Sequence, residues 1–450
     1  MRSGSSSKIL AAFAIPMVLG NIFQQLYNTT DAIIVGRLIG KNALAAVGVA
    51  NPIMSVAIFF IFGLCIGTSV LISQLFGAEK YKILKKEVST ALIVGIIFTA
   101  AVSVLCILLS RWFLVMTGTP AEILDSADIY LKIIFGGLIF SFLYNFYSSA
   151  LRAIGDSRTP LIFLVISCVL NGVFCIFFIA VLKLGVAGSA IATVIAQGIS
   201  FLLCISYVYI KVPLMRIRYS ELSVDRKLLK LTVQYSWVTA LQQTCLYIGK
   251  LLVQGVVNPF GTDAIAAYNS VTRVDSFVLA PGDSLSASIS TYAAQNKGAG
   301  RWERIREGYR NCNIMITAYC TAVSLLVFFG SGMIMGLFVP GSEKNVILIG
   351  VKYLRMMSLF YVLSGFCSVF QGLFRGVGKL RITFIATTMQ ISTRVAISYM
   401  LAPWLGISSV CLAVGAGWVL MIIYEGLSAK KYFGEIEKYY PDESKVGYAN

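Results

Sequence analysis

Apolar residues form long uninterrupted stretches along the chain, and charged or Gly/Pro-rich segments separate them. Several stretches exceed the ~20 residues that a helix needs to cross the ~30 Å hydrocarbon core of a bilayer. Continuous apolar runs favour helices over barrel strands, which alternate apolar and polar side chains over about ten residues. The pattern therefore predicts an all-α polytopic membrane protein. Its twelve predicted transmembrane helices are residues 9–36, 44–73, 88–110, 127–151, 159–180, 186–209, 231–257, 264–294, 311–331, 347–373, 382–402 and 405–427.

The composition agrees with this pattern. Of the 450 residues, 58% are hydrophobic and 13% are charged, which is about half the ~25% charged residues of a typical soluble protein. No small-residue cleavage site follows the amino-terminal MRSGSSSKIL, so we expect a first span and not a removed signal peptide. The ten cysteines stand singly without a CxxC pair, which indicates reduced core residues and no metal site.

The net charge of +17 follows the topology of the spans. Most of the 37 lysines and arginines lie at the termini and in every second loop between predicted spans. By the positive-inside rule, both termini of this multi-pass protein should face the cytoplasm. We expect it to lie in the plasma (inner) membrane with the lipid bilayer as its partner. The basic charge thus follows the topology and does not indicate nucleic-acid binding. Walker, zinc and nucleophile-elbow motifs are missing from the sequence, so we expect neither an ATP-driven pump nor an enzyme.

The two halves of the chain repeat each other. YLKIIF at 130 matches YLRMMS at 353, and LRAIGDSRTP at 151 matches FRGVGKLRIT at 374, both at an offset of 223 residues. QQLYN at 24 similarly echoes QQTCL at 242. We expect an N-terminal lobe (1–210), a cytoplasmic linker (211–230), a C-terminal lobe (231–430) and a cytoplasmic tail (431–450). Two six-helix lobes of the same orientation with a cleft between them predict a transporter that works by alternating access, in which the lobes rock about a central site. The alternative is a channel or a receptor that couples no ion flow to transport.

Several segments resemble one transporter family. IPMVLGNIFQQLYNTTDAIIVGRLIGKNALAAVG, SQLFGAEK, SALRAIGDSRTP and LQQTCLYIGKLLVQGVVNPFGTDAIAAYNSVTRVDS are similar to the MATE family, multidrug and toxic compound extrusion, particularly its prokaryotic DinF-like members. The resemblance implies a two-lobe antiporter that exports amphipathic, often cationic, compounds in exchange for protons or sodium ions. We expect a functional monomer without a bound cofactor. The alternative is a flippase for lipid-linked saccharides of the same superfamily.

Asp31 is the one charged residue between Ile9 and Gly36. A carboxylate inside a span costs a few kcal/mol unless it is protonated, paired or facing water. Burial favours its protonated form and a bound cation favours its ionised form, so the group can bind and release a coupling ion. The chain has no histidine, so proton coupling would have to use carboxylates. The alternative is a helix-end carboxylate satisfied by Thr29, Thr30 or lipid headgroups.

The resemblance also implies the composition of the cation site. Such proteins combine an Asp and a bend-forming Pro in span one, an Asn and a second Asp one turn apart in span five, and a Thr in span six. This sequence supplies Pro16, Gln24, Asp31, Asn171 and Thr193. Cys175 stands in place of the second Asp, which favours protons over sodium, although transient sodium at Asp31 stays open; no resident metal is expected. For Asn171 and Thr193 the alternative is interhelical hydrogen bonding.

The second half has charged residues within its predicted spans. These residues are Lys250, Arg273, Asp275, Asp283 and Arg394. They predict either an ion-pair network, in which Lys250 pairs with Asp275, or a substrate site that suits anionic or zwitterionic compounds. Pro281 next to Asp283 could break the helix and free carbonyls.

Aromatic and glycine residues complete the set of candidates. Tyr27, Tyr144 and Tyr147 could line a cavity for flat cations, or they could pack in the core or at the membrane interface. Gly63 and Gly67 in GLCIG predict close helix packing.

Overall fold

Fourteen α-helices make up nearly all of the computed structural model, which describes Met1, residues 3–340 and residues 342–439. The described residues contain no strand. Residues 440–450 of the predicted tail lie outside the described part. The helices are α1 Ser6–Leu38, α2 Lys41–Gly77, α3 Tyr81–Met116, α4 Ala121–Gly136, α5 Leu138–Ile154, α6 Arg158–Ile176, α7 Gly185–Lys211, α8 Arg226–Val257, α9 Thr262–Gly298, α10 Trp302–Phe338, α11 Lys344–Ser358, α12 Tyr361–Gly376, α13 Leu380–Leu405 and α14 Ser408–Tyr439.

Seven of the described helices are long and apolar enough to cross a membrane, judged by length and composition. They are α1, α2, α3, α6 with its π-helical continuation, α7, α10 and α14. Two helix pairs, α4 with α5 and α11 with α12, are apolar enough together and are bent by 45° and 52°. The more polar helices α8, α9 and α13 correspond to the three remaining predicted spans. When each bent pair is counted as one span, the described helices correspond to the twelve predicted spans.

Each bent pair replaces a span that the sequence predicts as one helix. The first bend is at Gly137, where an added Cβ would lie 2.3 Å from a methyl carbon of Val194 on α7. Glycine therefore allows α7 to approach the backbone at the bend. The second bend includes Phe360, which lies 223 residues after Gly137, the same offset as in the sequence repeat. The two halves thus repeat the bend as well as the sequence.

The described residues form two compact units. The amino-terminal unit is Ile15–Thr244, and the carboxyl-terminal unit combines Met1–Ala14 with Cys245–Asn450. Helices α1 and α8 therefore contribute residues to both units. In the carboxyl-terminal unit, the start of α1 contacts α9, since the Ser6 hydroxyl lies 2.7 Å from the Tyr292 hydroxyl. The lobe limits given by the sequence remain predictions.

Helix α2 packs closely against the first half of α8 within the amino-terminal unit. A Cβ atom at Gly63 would lie 2.5 Å from the Cα of Ala240, and one at Gly67 would lie 2.5 Å from the Cα of Ser236. The Thr239 hydroxyl donates to the carbonyl oxygen of Gly63 at 2.6 Å. The predicted close helix packing of the GLCIG segment is confirmed.

The start of α8 is fixed by an aspartate outside the predicted spans. The Asp225 carboxylate accepts hydrogen bonds from the backbone N–H of Leu228 at 3.1 Å and of Lys227 at 2.9 Å. These bonds to the charged form lower the pKa of Asp225 from its ordinary value. An ionised carboxylate at this position satisfies free N–H groups of the first helical turn.

Helix α9 continues through Pro281 without a break. The expected interruption at this proline is therefore wrong. A proline inside a helix removes one backbone N–H donor and bends the helix, but the flanking hydrogen bonds can persist. Nearby, the Tyr319 hydroxyl donates to the carbonyl oxygen of Val278 at 3.0 Å. A tyrosine of α10 thus supplies a donor to the backbone of α9 just before the proline.

Candidate functional site

The Asp31 carboxylate on α1 accepts hydrogen bonds from two neutral side chains. The Ser189 hydroxyl of α7 donates to Oδ1 at 3.1 Å and to Oδ2 at 3.4 Å. The Cys175 thiol of α6 donates to Oδ1 at 3.4 Å. Ser189 and Cys175 are fully buried, while Asp31 is half-buried. No ion pair within the described part of the chain includes Asp31. The carboxylate is therefore held by donors that do not compensate its charge.

A second hydrogen-bonded layer lies one helical turn away from the first. The Tyr27 hydroxyl lies 3.2 Å from the Thr193 hydroxyl, and the Asn171 amide donates to the same Thr193 oxygen at 3.2 Å. Each of the three helices supplies one residue to each layer, four positions apart. The layers are Asp31, Cys175 and Ser189, and then Tyr27, Asn171 and Thr193.

The four-residue spacing explains why the sequence forms this site. Residues at i and i+4 of a helix lie on the same face, so each helix presents two adjacent polar side chains. Helix α6 ends close to Cys175 and α7 begins just before Ser189, so the connection between them places both residues next to α1. We name this group of six residues, in both layers, the Asp31 site.

Two residues of this region were missed by sequence reasoning. Ser189 lies one turn before Thr193 on α7, and that spacing could have identified it. Tyr130 on α4 is buried, and its hydroxyl is close enough to Asp31, Tyr27 and Cys175 to interact electrostatically with each of them. Tyr130 begins the YLKIIF segment, which is repeated in the second half, and this repeat could have identified it as a candidate. Tyr353, 223 residues later, has the same relation to Asp275 in the carboxyl-terminal unit.

Asn171, Thr193 and Tyr27 are thus placed next to Asp31, whereas Pro16 and Gln24 are not. Pro16 lies 15 residues before Asp31 in the continuous helix α1, about 22 Å away at 1.5 Å per residue. Gln24 lies seven residues before Asp31, roughly two turns and 10 Å along the axis. Gln24 is therefore not placed in contact with Asp31 in this structure, and the bend-forming role of Pro16 stays a prediction.

Tyr144 and Tyr147 are core residues of the amino-terminal unit. Their side chains are 8% and 3% exposed. The Tyr144 hydroxyl donates to the carbonyl oxygen of Pro160 at 3.5 Å. The Tyr147 ring packs against Phe146 and Phe201, at centroid distances of 5.5 and 6.1 Å. The packing alternative therefore holds for both, and the predicted cavity role is wrong because their helix face turns towards the core.

The charged residues of the carboxyl-terminal unit are arranged differently from the predicted pair. The Tyr361 hydroxyl donates to Oδ1 of Asp275 at 2.6 Å. The Arg394 guanidinium interacts electrostatically with the same carboxylate. Lys250 instead interacts electrostatically with Asp283 and Arg394. The predicted pairing of Lys250 with Asp275 is wrong for this structure, since Asp275 accepts a hydrogen bond from Tyr361 and the described residues contain no ion pair between it and Lys250. Within the described residues, no ion pair shorter than 4.0 Å joins any of these charges.

Arg394 and Arg273 have different surroundings. Arg394 faces the tyrosines Tyr268 and Tyr353, and its buried Nε atom has no hydrogen-bond partner within the described chain. Arg273 is exposed. Residues two positions apart, such as Arg273 and Asp275, point to different sides of a helix. Within the described residues, the Nε atom of Arg394 is thus an unpartnered donor in a side chain that interacts electrostatically with Asp275.

The family model MatE matches residues 16–177 and 238–400, which include Asp31, Asn171, Lys250, Asp275 and most of both repeats. The chain belongs to the MatE family. The predicted MATE resemblance is confirmed, and the protein is a multi-pass transporter of the cell membrane that acts on small molecules. The family comprises membrane transporters and not enzymes.

Relatives and solved structures agree with this assignment to the MATE family. The chain is 28% identical over 419 residues to "Probable multidrug resistance protein YpnP" of Bacillus subtilis, with 92% of this chain and 93% of the relative covered. A solved structure described as MATE in complex with MaL6 matches with a TM-score of 0.91 and 23% identity over 97% of this chain and 98% of that one.

A third match is a MOP superfamily transporter from Pyrococcus furiosus, whose structure is described as having a binding pocket of reverse polarity. Its TM-score is 0.88 with 22% identity, over 95% of this chain and 96% of that chain. These similarities establish the fold. The predicted all-α polytopic class with twelve transmembrane helices is confirmed.

Proposed function

We propose that this MATE transporter is a secondary antiporter that exports amphipathic organic compounds, often cations, in exchange for protons by alternating access. The observation that supports the proposal best is the environment of Asp31: a half-buried carboxylate on a membrane helix, held by a hydroxyl and a thiol and by no cationic side chain of the described residues. A carboxylate without a fixed counter-charge can bind a proton in one state and release it in another. The multidrug relatives favour organic compounds as substrates.

The donor set at Asp31 favours the proton over sodium as the coupling ion. Hard cations prefer several oxygen ligands, and a thiol is a ligand for softer metals. Cys175 places sulfur where a second carboxylate would add oxygens. Ser189 and Cys175 stabilise the ionised carboxylate by donation, and a proton on Asp31 would weaken those bonds. The protonation state of Asp31 is thereby linked to the contacts between α1, α6 and α7.

The proposal is tested by ethidium efflux from energised cells that express the protein. We expect efflux to stop when a protonophore collapses the proton gradient and to continue when sodium is replaced by choline. Efflux that requires sodium and survives the protonophore would overturn proton coupling. If no dye moves, organic cations are the wrong substrate class, and the flippase alternative becomes the better hypothesis.

Cys175→Asp should give the transporter sodium dependence. The Cys175 thiol lies 3.4 Å from the Asp31 carboxylate, so the variant places a second carboxylate beside the first. A charge within about 4 Å of a bound cation contributes at least ~1 kcal/mol, so sodium should bind roughly fivefold more tightly or better. The measurement is ethidium efflux as a function of sodium concentration. Cys175→Ser is the control without a charge, and sodium stimulation of both variants would contradict the explanation.

A second candidate substrate class is anionic or zwitterionic amphiphiles. It is favoured by Arg394, whose buried Nε has no partner in the described chain, and by Lys250 close to it. A solved structure of the same fold is described as having a binding pocket of reverse polarity, which supports a second substrate class. These groups could bind a carboxylate of the substrate, while Asp275 would favour a cationic group.

Arg394→Gln should therefore reduce the export of a zwitterionic dye and leave the export of ethidium unchanged. Loss of one charged hydrogen bond costs ~1.5–3 kcal/mol, so the apparent affinity for the zwitterion should fall by roughly tenfold to 100-fold. Arg273→Gln removes the same charge from an exposed position of the same unit and is the matched control. Equal effects of the two variants, or an equal loss of both dyes, would contradict a substrate role of Arg394.

A further inference from the structure

A groove with a volume of about 980 Å³ lies on the carboxyl-terminal unit between α10 and α14, away from the charged residues described above. Its residues on α10 recur every three or four positions from Arg306 to Ala318, and those on α14 recur in the same way from Lys430 to Glu437. One face of each helix therefore lines the groove. The volume is at the upper end of the roughly 300–1,000 Å³ found for small-molecule sites.

Basic side chains line both walls of the groove. Arg306 on α10 forms an ion pair with Glu437 on α14, which joins the two walls. Arg310 and Lys430 also line the groove and are exposed. Neither of these two residues is in an ion pair with a carboxylate of the described chain. Two positive charges in excess thus face the same space.

The end of the groove at Ile314 and Ala318 is apolar. Ile314 is 61% exposed, and Ala318 follows it one turn later on α10. Further along the same helix, Leu325, Leu326 and Phe329 are also exposed. Because α10 is long and apolar enough to span a membrane, exposed apolar side chains on it suit contact with lipid tails. The groove therefore extends from basic side chains towards an apolar helix surface.

The floor of the groove is aromatic. The Tyr309 ring packs against Phe370 of α12 and Phe433 of α14, at centroid distances of 5.6 and 5.7 Å. Aromatic rings beside basic side chains complement a molecule with an anionic head and an aliphatic tail. On the predicted orientation, the start of α10 and the end of α14 lie at the cytoplasmic leaflet, where anionic lipids attract basic residues.

We propose that this groove binds one anionic phospholipid of the bilayer, with its phosphate at Arg310 and Lys430 and an acyl chain along Ile314 and Ala318. Charge decides against a zwitterionic phospholipid, because its headgroup would not compensate the two excess cations. Position decides for a lipid over a soluble anion, because the apolar end opens towards the bilayer. Basic clefts between membrane helices on the cytoplasmic side are known to suit such headgroups.

The test is native mass spectrometry of the full chain in detergent, titrated with phosphatidylglycerol or with phosphatidylcholine. We expect wild type to retain phosphatidylglycerol in preference to phosphatidylcholine. Each basic residue near a lipid surface contributes roughly fivefold in affinity, so Arg310→Gln with Lys430→Gln should weaken phosphatidylglycerol binding by roughly 25-fold. Ala318→Trp, which fills the apolar end, should weaken the binding of the same lipid without altering any charge.

The matched control is Lys82→Gln with Arg381→Gln, which removes one lysine and one arginine from exposed positions outside the groove. All substituted side chains are exposed, so none of the variants disturbs the core. Equal retention of the two lipids by wild type, or an equal loss in the control, would overturn the proposal. If phosphatidylglycerol binds only after residues 440–450 are deleted, the chain's own tail is the occupant and the proposal fails.

Discussion

Asp31→Asn is expected to reduce ethidium efflux to the level of cells that lack the transporter. The amide preserves the size of the side chain and can still accept from Ser189 and Cys175, but it cannot bind and release a proton. A carboxylate that is held ionised within a membrane helix costs energy, up to roughly 2.5–3.5 kcal/mol at the helix centre. Without proton binding and release at residue 31, the transport cycle is no longer driven by the proton gradient. The measurement is the initial rate of dye loss at matched expression.

The control for this variant is Asp125→Asn. Asp125 lies on the surface of α4, where its side chain is 77% exposed and pairs with Arg111 at 2.8 Å. Exposed ion pairs contribute little, about 0–1 kcal/mol, so efflux should not change. Wild-type efflux by Asp31→Asn would show that Asp31 is structural. Coupling would then have to use the carboxylates of the carboxyl-terminal unit, with Asp275 and Asp283 as the next candidates.

Gly63→Ala is expected to lower the thermal stability of the purified transporter more than any exposed substitution. The new Cβ would lie 2.5 Å from the Cα of Ala240 and 2.8 Å from the carbonyl oxygen of Thr239. Backbone atoms cannot move aside as a flexible side chain can, so α2 and α8 would have to separate. Overpacking of this kind costs about 1–3 kcal/mol, and loss of the Thr239 hydrogen bond to Gly63 would add to it. The measurement is the melting temperature in detergent.

Gly48→Ala on the same helix is the matched control. An added Cβ at Gly48 has no neighbour within 4 Å. Alanine is favoured over glycine in a helix by ~1 kcal/mol, so this variant should melt at the same temperature as wild type or higher. If the two variants melt alike, contact between α2 and the first half of α8 does not determine stability, and the close approach has another role.

The sequence repeat predicts equivalent helices but different chemistry in the two halves. Tyr130 and Tyr353 are equivalent at the offset of 223, and each lies near a carboxylate of its own unit. At the same offset, Asn171 corresponds to Arg394, so an amide of the Asp31 site is replaced by a guanidinium. This difference is why proton coupling is proposed for one unit and substrate binding for the other. Dye export by Asp31→Asn and Arg394→Gln separates the two roles.

Hydrophobic patterning by itself determined the positions and the helical nature of the spans, because a lipid environment requires that every backbone polar group is bonded within its own helix. It also identified Asp31, since a carboxylate in an apolar run is conspicuous in the sequence. The GLCIG spacing predicted the close approach at Gly63 and Gly67, because small residues four apart form a flat helix face. These features depend on neighbours along the chain.

Only the tertiary structure decided which side chains meet across helices. Cys175 and Ser189 lie 144 and 158 residues after Asp31, and Tyr130 lies 99 residues after it. No local pattern in the sequence brings these side chains together. Asp275 accepts a hydrogen bond from Tyr361 and not the predicted ion pair with Lys250. The rotation and tilt of the helices determine which side chains reach each other. The same holds for the groove between α10 and α14. Contacts between distant helices depend on how their faces pack, which the pattern of a single helix does not specify.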